Sequence, residues 1–388
     1  MNRPAAAPLI NDVFLLGCAV ASPDDWNGQE EALRRLDGAG WKSVADLAKQ
    51  HGFAGLLARN LAWAQQKTGF RAPILKELSD LRRGQLVQHL TRRAAARRAA
   101  DALASKDIPF VIFKGVVLGE EIYGDLSLRG FHDCDIMVQH ERLDEAYAIA
   151  LELGYALGQF DHVRDYVRLG AHAAGMVHRD GTSLDLHWSI GPDVLEPERL
   201  AIIWRHCRAS VGDSYLPGLR LSPEMTLIHL AKHFHSHQYT SIKPLVDFYV
   251  AARSLRTTID VDQLTATARA LDLLPFVDIA ASLCEECFIP DAIPHILAVR
   301  EPALHARLAR RFVSKDLMLH AEKRSRLGNW TRYLVAAGSP ASCARSMLQA
   351  LIPGKLVLVQ FFNRPFRASM YPQYYWRQLL KVLTLSTK

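Results

Sequence analysis

The chain has 388 residues, 49% apolar and 22% charged, with a net charge of +7. That length accommodates two or three domains with a sizeable core, and the composition is that of an ordinary soluble globular protein. No apolar stretch reaches the length of a bilayer span, and six cysteines (18, 134, 207, 284, 287, 343) are too sparse for a secreted disulfide scaffold, so a reducing cytoplasm is the expected setting.

Taken in chain order, residues 1–105 read as helices. The apolar run Val13–Val20 follows an acidic Asp12 and little positive charge, which suits a buried helix better than a signal peptide. Apolar residues then recur at helical spacing at Leu47, Leu56, Leu57 and Leu61. Arg82, Arg83, Arg92, Arg93, Arg97 and Arg98 mark a basic helix that suits either a polyanion or solvent.

Over 106–220 the pattern changes to short β-rich runs at Pro109–Phe113, Asp135–Val138 and Thr182–Trp188, alternating with helical ones at Val116–Tyr123 and Leu143–Leu153, the latter closed by Gly154. Ser222-Pro223-Glu224 then reads as a helix start, and helices dominate 221–388. Pro340, Pro353, Pro365 and Pro372 cut the last fifty residues into short pieces. The expected fold is therefore α+β and mainly helical. A small mixed β-sheet module at 106–220 is flanked by helical regions at 1–105 and 221–388.

Charge is unevenly placed. Residues 300–388 hold 16 Lys/Arg against 3 Asp/Glu, and the remaining 299 residues hold 31 against 37. The basic C-terminal region suits phosphates, an acidic partner, nucleic acid or a membrane surface, and equally a solvated face.

The chemistry concentrates in Lys114-Gly115 after the first β-rich run, Asp133-Cys-Asp135 entering the second, and Asp185-Leu-His187-Trp188 in the third. Side chains alternate across a strand, so Asp133 and Asp135 share a face, as do Asp185 and His187. If the strands are neighbours, three carboxylates converge into a set of hard oxygen ligands suited to Mg²⁺ or Mn²⁺. Taken alone, an Asp-x-Asp at a strand entrance is ordinary turn chemistry; the combination points to a metal site.

The order of these pieces resembles the nucleotidyltransferase superfamily of polymerase-β-like and minimal nucleotidyltransferases. More narrowly it is similar to a bacterial family of uncharacterised nucleotidyltransferases, on Lys114, Gly115, Tyr123, Arg129, Asp133, Asp135, Gly154-Tyr155 and Asp185-Leu186-His187-Trp188. Weaker echoes lie at Trp41, Leu47-Ala48 and His51, and at Leu227, His229, His233 and Leu245-Val-Asp247. The superfamily's usual Gly-Ser is here Lys-Gly, a variant the narrower family shares.

The resemblance implies transfer of a nucleoside monophosphate from an NTP, ATP foremost, to an acceptor, with release of pyrophosphate. It implies that Asp133, Asp135 and Asp185 are the catalytic and metal-binding residues. Lys114, Gly115, Arg129 and His187 are implied to serve the nucleotide or acceptor. The expected acceptor is a small molecule, sugar, peptide or protein, with a biosynthetic metabolite or peptide favoured. A non-catalytic nucleotide-sensing or scaffolding module and a nucleic-acid-modifying transferase are the alternatives.

Three motifs point elsewhere. His229 and His233 sit one helical turn apart as a zinc pair would, but Leu-Ala-Lys between them lacks the glutamate of a zinc protease, which leaves packing or a cleft wall. Cys284-Glu-Glu-Cys287 has metal-like spacing without a second pair, so two half-buried thiols are expected. The Phe361–Trp376 segment mixes aromatics with Arg364, Arg367 and Arg377, a pattern read first as a tail packed on the catalytic module and second as a segment docking on a membrane surface or nucleic acid.

Overall fold

The computed structural model describes residues 7–192, 194–210, 215–237, 239–288, 311, 313–320, 355–362 and 367–385. Cys343, Pro340, Pro353, Pro365 and Arg364 lie outside the described residues.

The N-terminal region is helical, as its periodicity requires: α1 (Ala7–Ala19), α2 (Glu30–Arg34), α3 (Gly38–Gln50), α4 (Ala54–Thr68) and the long α5 (Leu75–Ala104). Asp37 caps α3 by accepting from the Gly40 amide at 2.7 Å, and Gly69, at φ +70°, ends α4.

Then come β1 (Phe110–Phe113), one α-turn α6 (Gly115–Val117) running into a π-turn (Leu118–Ile122), β2 (Asp133–Val138), α7 (Leu143–Glu152), β3 (Tyr155–Leu157), α8 (Val163–Arg168), β4 (Ala173–His178), β5 (Ser183–His187), α9 (Pro197–Arg205), β6 (Cys207–Ala209) and β7 (Leu219–Leu221). The helix expected at 116–123 is thus mostly π-helical. Helices α10 (Pro223–Ser236), α11 (Ile242–Ser254), α12 (Val261–Ala270) and α13 (Leu274–Cys287) follow, with shorter segments at Lys315–Leu319, Lys355–Phe362 and Met370–Leu385. Ser222 caps α10, accepting from the Met225 amide with Pro223 in the first turn, as the sequence indicates.

The seven strands form one mixed sheet in the order β3-β4-β5-β2-β1-β7-β6. β1 is antiparallel to β2, while β2 and β5 run parallel. Alternation splits the sheet's side chains into two cores. Val111, Phe113 and Met137 face the larger core, together with Trp41, Leu47, Leu227 and Phe248 from the flanking helices. Ile112, Ile136, Leu184 and Leu186 face the other, against Ala96, Ala99 and Ala100 of α5 and Leu143 and Ala146 of α7. The central strands β1 and β2 are therefore covered on both faces, and the larger core draws residues from both sides of positions 105 and 220.

Candidate active site

The parallel register of β2 and β5 sets Asp135 directly opposite Asp185, with Met137 opposite His187. Cross-strand partners project to one face, so both carboxylates and the imidazole stand on the side of Phe113, which pairs with Asp135 from β1. One ligand atom each from Asp135, Asp185 and His187 lies within 4.8 Å of the others. Gly175 on β4 pairs with Asp185, and a Cβ there would sit 3.3 Å from the Asp185 Oδ1. The missing side chain leaves the carboxylate its space.

Asp135 is the buried centre, 2% exposed. Its Oδ1 accepts from Lys114 Nζ at 2.6 Å and hydrogen-bonds His187 Nε2 at 3.0 Å. Burial alone would raise its carboxyl; Lys114 and His187 outweigh burial and hold it well below the usual carboxylate range. Asp185 goes the other way, raised by burial and then by the charge of Asp135. His187 is also buried, and its Nδ1 has no hydrogen-bond partner. With Nε2 turned to the carboxylate, Nδ1 is the ring's unpartnered nitrogen.

Lys114 reaches Asp135 from an unusual backbone, φ +57° and ψ −147°, a region that side chains disfavour. Gly115 follows at φ +30°, where a Cβ would stand 2.9 Å from the Asp133 carbonyl oxygen, so only glycine lets this loop close on β2. Asp133, partly exposed at the entrance of β2, shares the face of Asp135 but stands outside the Asp135–Asp185–His187 cluster.

Arg129 lies in the loop before β2. It is 4% exposed, and its Nε and Nη2 donate to Asp247 of α11 at 2.7 and 2.8 Å. Tyr123 Oη donates to the same carboxylate at 2.8 Å. This buried fork locks the loop before β2 onto α11.

Lys243, one turn before Asp247, donates to the Gly130 carbonyl, and its ammonium lies 5.2 Å from the Phe53 ring centre. Burial and then the Arg129 charge pull the Lys243 amine down to about 7. The Leu245-Val-Asp247 echo marked this helix in the sequence, but nothing local tied Lys243 to the glycine.

The remaining motifs resolve simply. His229 packs edge-on against Phe113, centroids 4.9 Å apart, and stacks with His233 at 6.0 Å. Burial, followed by the Lys114 charge, holds both rings well below their usual pKa. Cys284 and Cys287 are fully buried rather than half-buried, free thiols on α13, and burial pushes Cys287 up to about 12. Arg82, Arg83, Arg93 and Arg97 of α5 are paired with Asp125, Asp80, Glu120 and Asp101.

A cavity of about 940 Å³ opens beside the cluster, reaching Phe113, Lys114 and His229 and lined further by Leu118, Glu121 and Tyr215. Asp135 and Asp185 are not among its walls; Lys114, which is, bonds Asp135.

The family model for uncharacterised nucleotidyltransferases matches residues 37–289. The chain belongs to this family. Among solved structures, this nucleotidyltransferase is 15% identical to the antibiotic-resistance factor ANT(2'')-Ia in solution, covering 47% of this chain and 92% of that one with a TM-score of 0.34. The crystal structure of ANT(2'')-Ia with adenylyl-2''-tobramycin gives 15% identity, 47% and 97% coverage and a TM-score of 0.33. An antigenic nucleotidyltransferase-like protein from Paracoccidioides brasiliensis gives 16%, 51%, 94% and 0.33 in the same order. No curated protein matches the chain. The nucleotidyltransferase family model spans the whole sheet and α10–α13, so it contains every residue of the cluster.

Proposed function

We propose that the protein transfers a nucleoside monophosphate from an NTP, with ATP the first donor to try, to a hydroxyl of a small molecule or peptide, releasing pyrophosphate. The observation that carries this reading is the direct register of Asp135 against Asp185 with His187 beside them. A carboxylate whose proton affinity is raised by burial and by the charge of a second carboxylate opposite it favours a divalent cation beside the pair, and His187 adds a nitrogen ligand to the same group. Asp133, Asp135 and Asp185 would hold Mg²⁺ or Mn²⁺, which when bound neutralises phosphate charge and lowers the barrier to phosphoryl-type transfer.

The chain's own residues supply the rest. Lys114 carries a positive charge into the site and Gly115 lets the backbone come close, so this loop is assigned to the triphosphate. Asp185, whose proton affinity is raised, accepts the proton of the attacking hydroxyl. The acceptor oxygen bonds to the α-phosphorus as the bond to the leaving pyrophosphate breaks. Arg129 takes part indirectly, holding the loop before β2 through Asp247.

A small acceptor is favoured over a polynucleotide because most of the arginine stripe on α5 is already neutralised by carboxylates. The test is transfer of label from α-labelled NTPs to a metabolite and peptide extract with Mg²⁺. Asp135→Asn and Asp185→Asn should each cut transfer on the order of a thousandfold, and a chelator should abolish it. Label transfer that persists in both variants removes the assignment.

A further inference from the structure

From residue 323 to the C-terminus the sequence holds eleven Lys/Arg and no Asp or Glu. Two helices are described inside this stretch, Lys355–Phe362 and Met370–Leu385. They meet through aromatic contacts: Phe361 stands edge-on to Tyr374 with centroids 5.0 Å apart, and the Arg377 guanidinium lies 5.1 Å from the Phe362 ring centre. Leu358 and Met370 are buried, and the Gln159 side chain donates to the Val359 carbonyl at 3.4 Å, which ties the first helix to the loop after β3.

Other side chains of the pair are turned to water. Trp376 is 61% exposed, Val357 46% and Tyr375 43%. An exposed indole and valine on neighbouring helices, in a stretch of cations with no carboxylate, match the chemistry of an interfacial helix. There aromatic rings sit at headgroup level, apolar side chains enter the acyl boundary, and Lys and Arg meet anionic headgroups. A polynucleotide would use the flat rings and the charge but has nothing to offer an exposed valine.

We propose that the helix pair Lys355–Phe362 and Met370–Leu385 docks the protein onto an anionic lipid surface, with Trp376 and Val357 entering the interface. No helix among the described residues is long and apolar enough to cross a membrane, so the docking is peripheral. It is also salt-sensitive, because screening weakens the attraction between the arginines and the headgroups.

The test is sedimentation of the full chain with vesicles of phosphatidylcholine alone or with roughly one-third phosphatidylglycerol. Binding should be about tenfold stronger to the anionic vesicles and should fall with salt. Trp376→Ala combined with Val357→Ser should weaken it about fivefold with the circular dichroism unchanged. Fluorescence quenching by brominated lipid should drop in Trp376→Phe, which keeps an apolar ring and stays bound. Failure to sediment with anionic vesicles, equal binding of the double variant, or binding to single-stranded polynucleotide without binding to vesicles overturns the proposal.

Discussion

Two donors converge on one oxygen of Asp135, and each is placed by a different strand end. Replacing Lys114 by methionine keeps the stem but removes the charge opposite a buried carboxylate. The Asp135 carboxyl should then titrate higher, and transfer should fall while the fold survives, as activity assays beside a thermal melt would register. The Arg129–Asp247 pair responds differently because both partners are buried. Asp247→Ala strands a guanidinium without a counter-charge and should cost about 3–5 kcal/mol in urea unfolding. Arg129→Met together with Asp247→Leu should recover much of that loss.

Histidines set the acid limit. His89 is buried, stacks on Phe131 and uses Nδ1 on the Leu126 carbonyl; burial lowers its pKa to about 4. Unfolded, it takes a proton near its ordinary value of about 6.5. Between those values the unfolded chain binds more protons, so stability rises with pH across that window and is lost as pH falls toward 4. His89→Gln should reduce the proton linkage there by about one, measurable from unfolding free energies against pH.

At the scale of elements, the site depends on short strands. β1 has four residues and β7 three, yet β1 separates β2 from β7 in the sheet. The loop leading into β2 is held from outside. Gly55 opens α4 against it, and a Cβ there would fall 1.8 Å from the Ser127 carbonyl oxygen, so Gly55→Ala must push α4 and the loop apart. Its expected cost of about 1–3 kcal/mol should appear as a lower melting temperature, with transfer reduced as β2 shifts.

The strands bearing Asp135 and Asp185 were legible because each joins apolar residues to chemically odd ones, β2 as a run ending Ile-Met-Val and β5 as an alternation of leucines with polar residues. β3, β4, β6 and β7 were not. Three of them have only three residues, and β4 reads Ala-Ala-Gly-Met-Val-His, too poor in β-branched residues to announce itself. The π-turn also escaped, since local spacing hardly separates it from an α-helix. Arg129 was legible as a special residue but its partner was not: it stands 118 positions before Asp247, and no pattern within either segment encodes that meeting.

Across the whole molecule, the central strands β1 and β2 have no face of their own to show to water. Val111, Phe113 and Met137 pack on helices from both ends of the chain, while Ile112 and Ile136 pack on α5 and α7. Residues 106–220 stand out in the sequence as a module, but cut free they would expose the first of these faces. Expressed alone, that segment should bind an apolar dye and aggregate, whereas residues 7–288 should unfold in one cooperative step. The family match at 37–289 follows the same logic, reaching across both helical flanks that cover the sheet.

The backbone at Lys114 has a further consequence. A side chain held at φ +57°, ψ −147° costs roughly 1–3 kcal/mol that glycine would not. Lys114→Gly should therefore melt higher than Lys114→Ala, while both lose the ammonium and its effect on turnover. On the role proposed for Lys114, the loop gives up thermal resistance to hold a cation against Asp135, so selection of this protein for heat tolerance alone would be expected to replace Lys114 and produce a sturdier, slower enzyme.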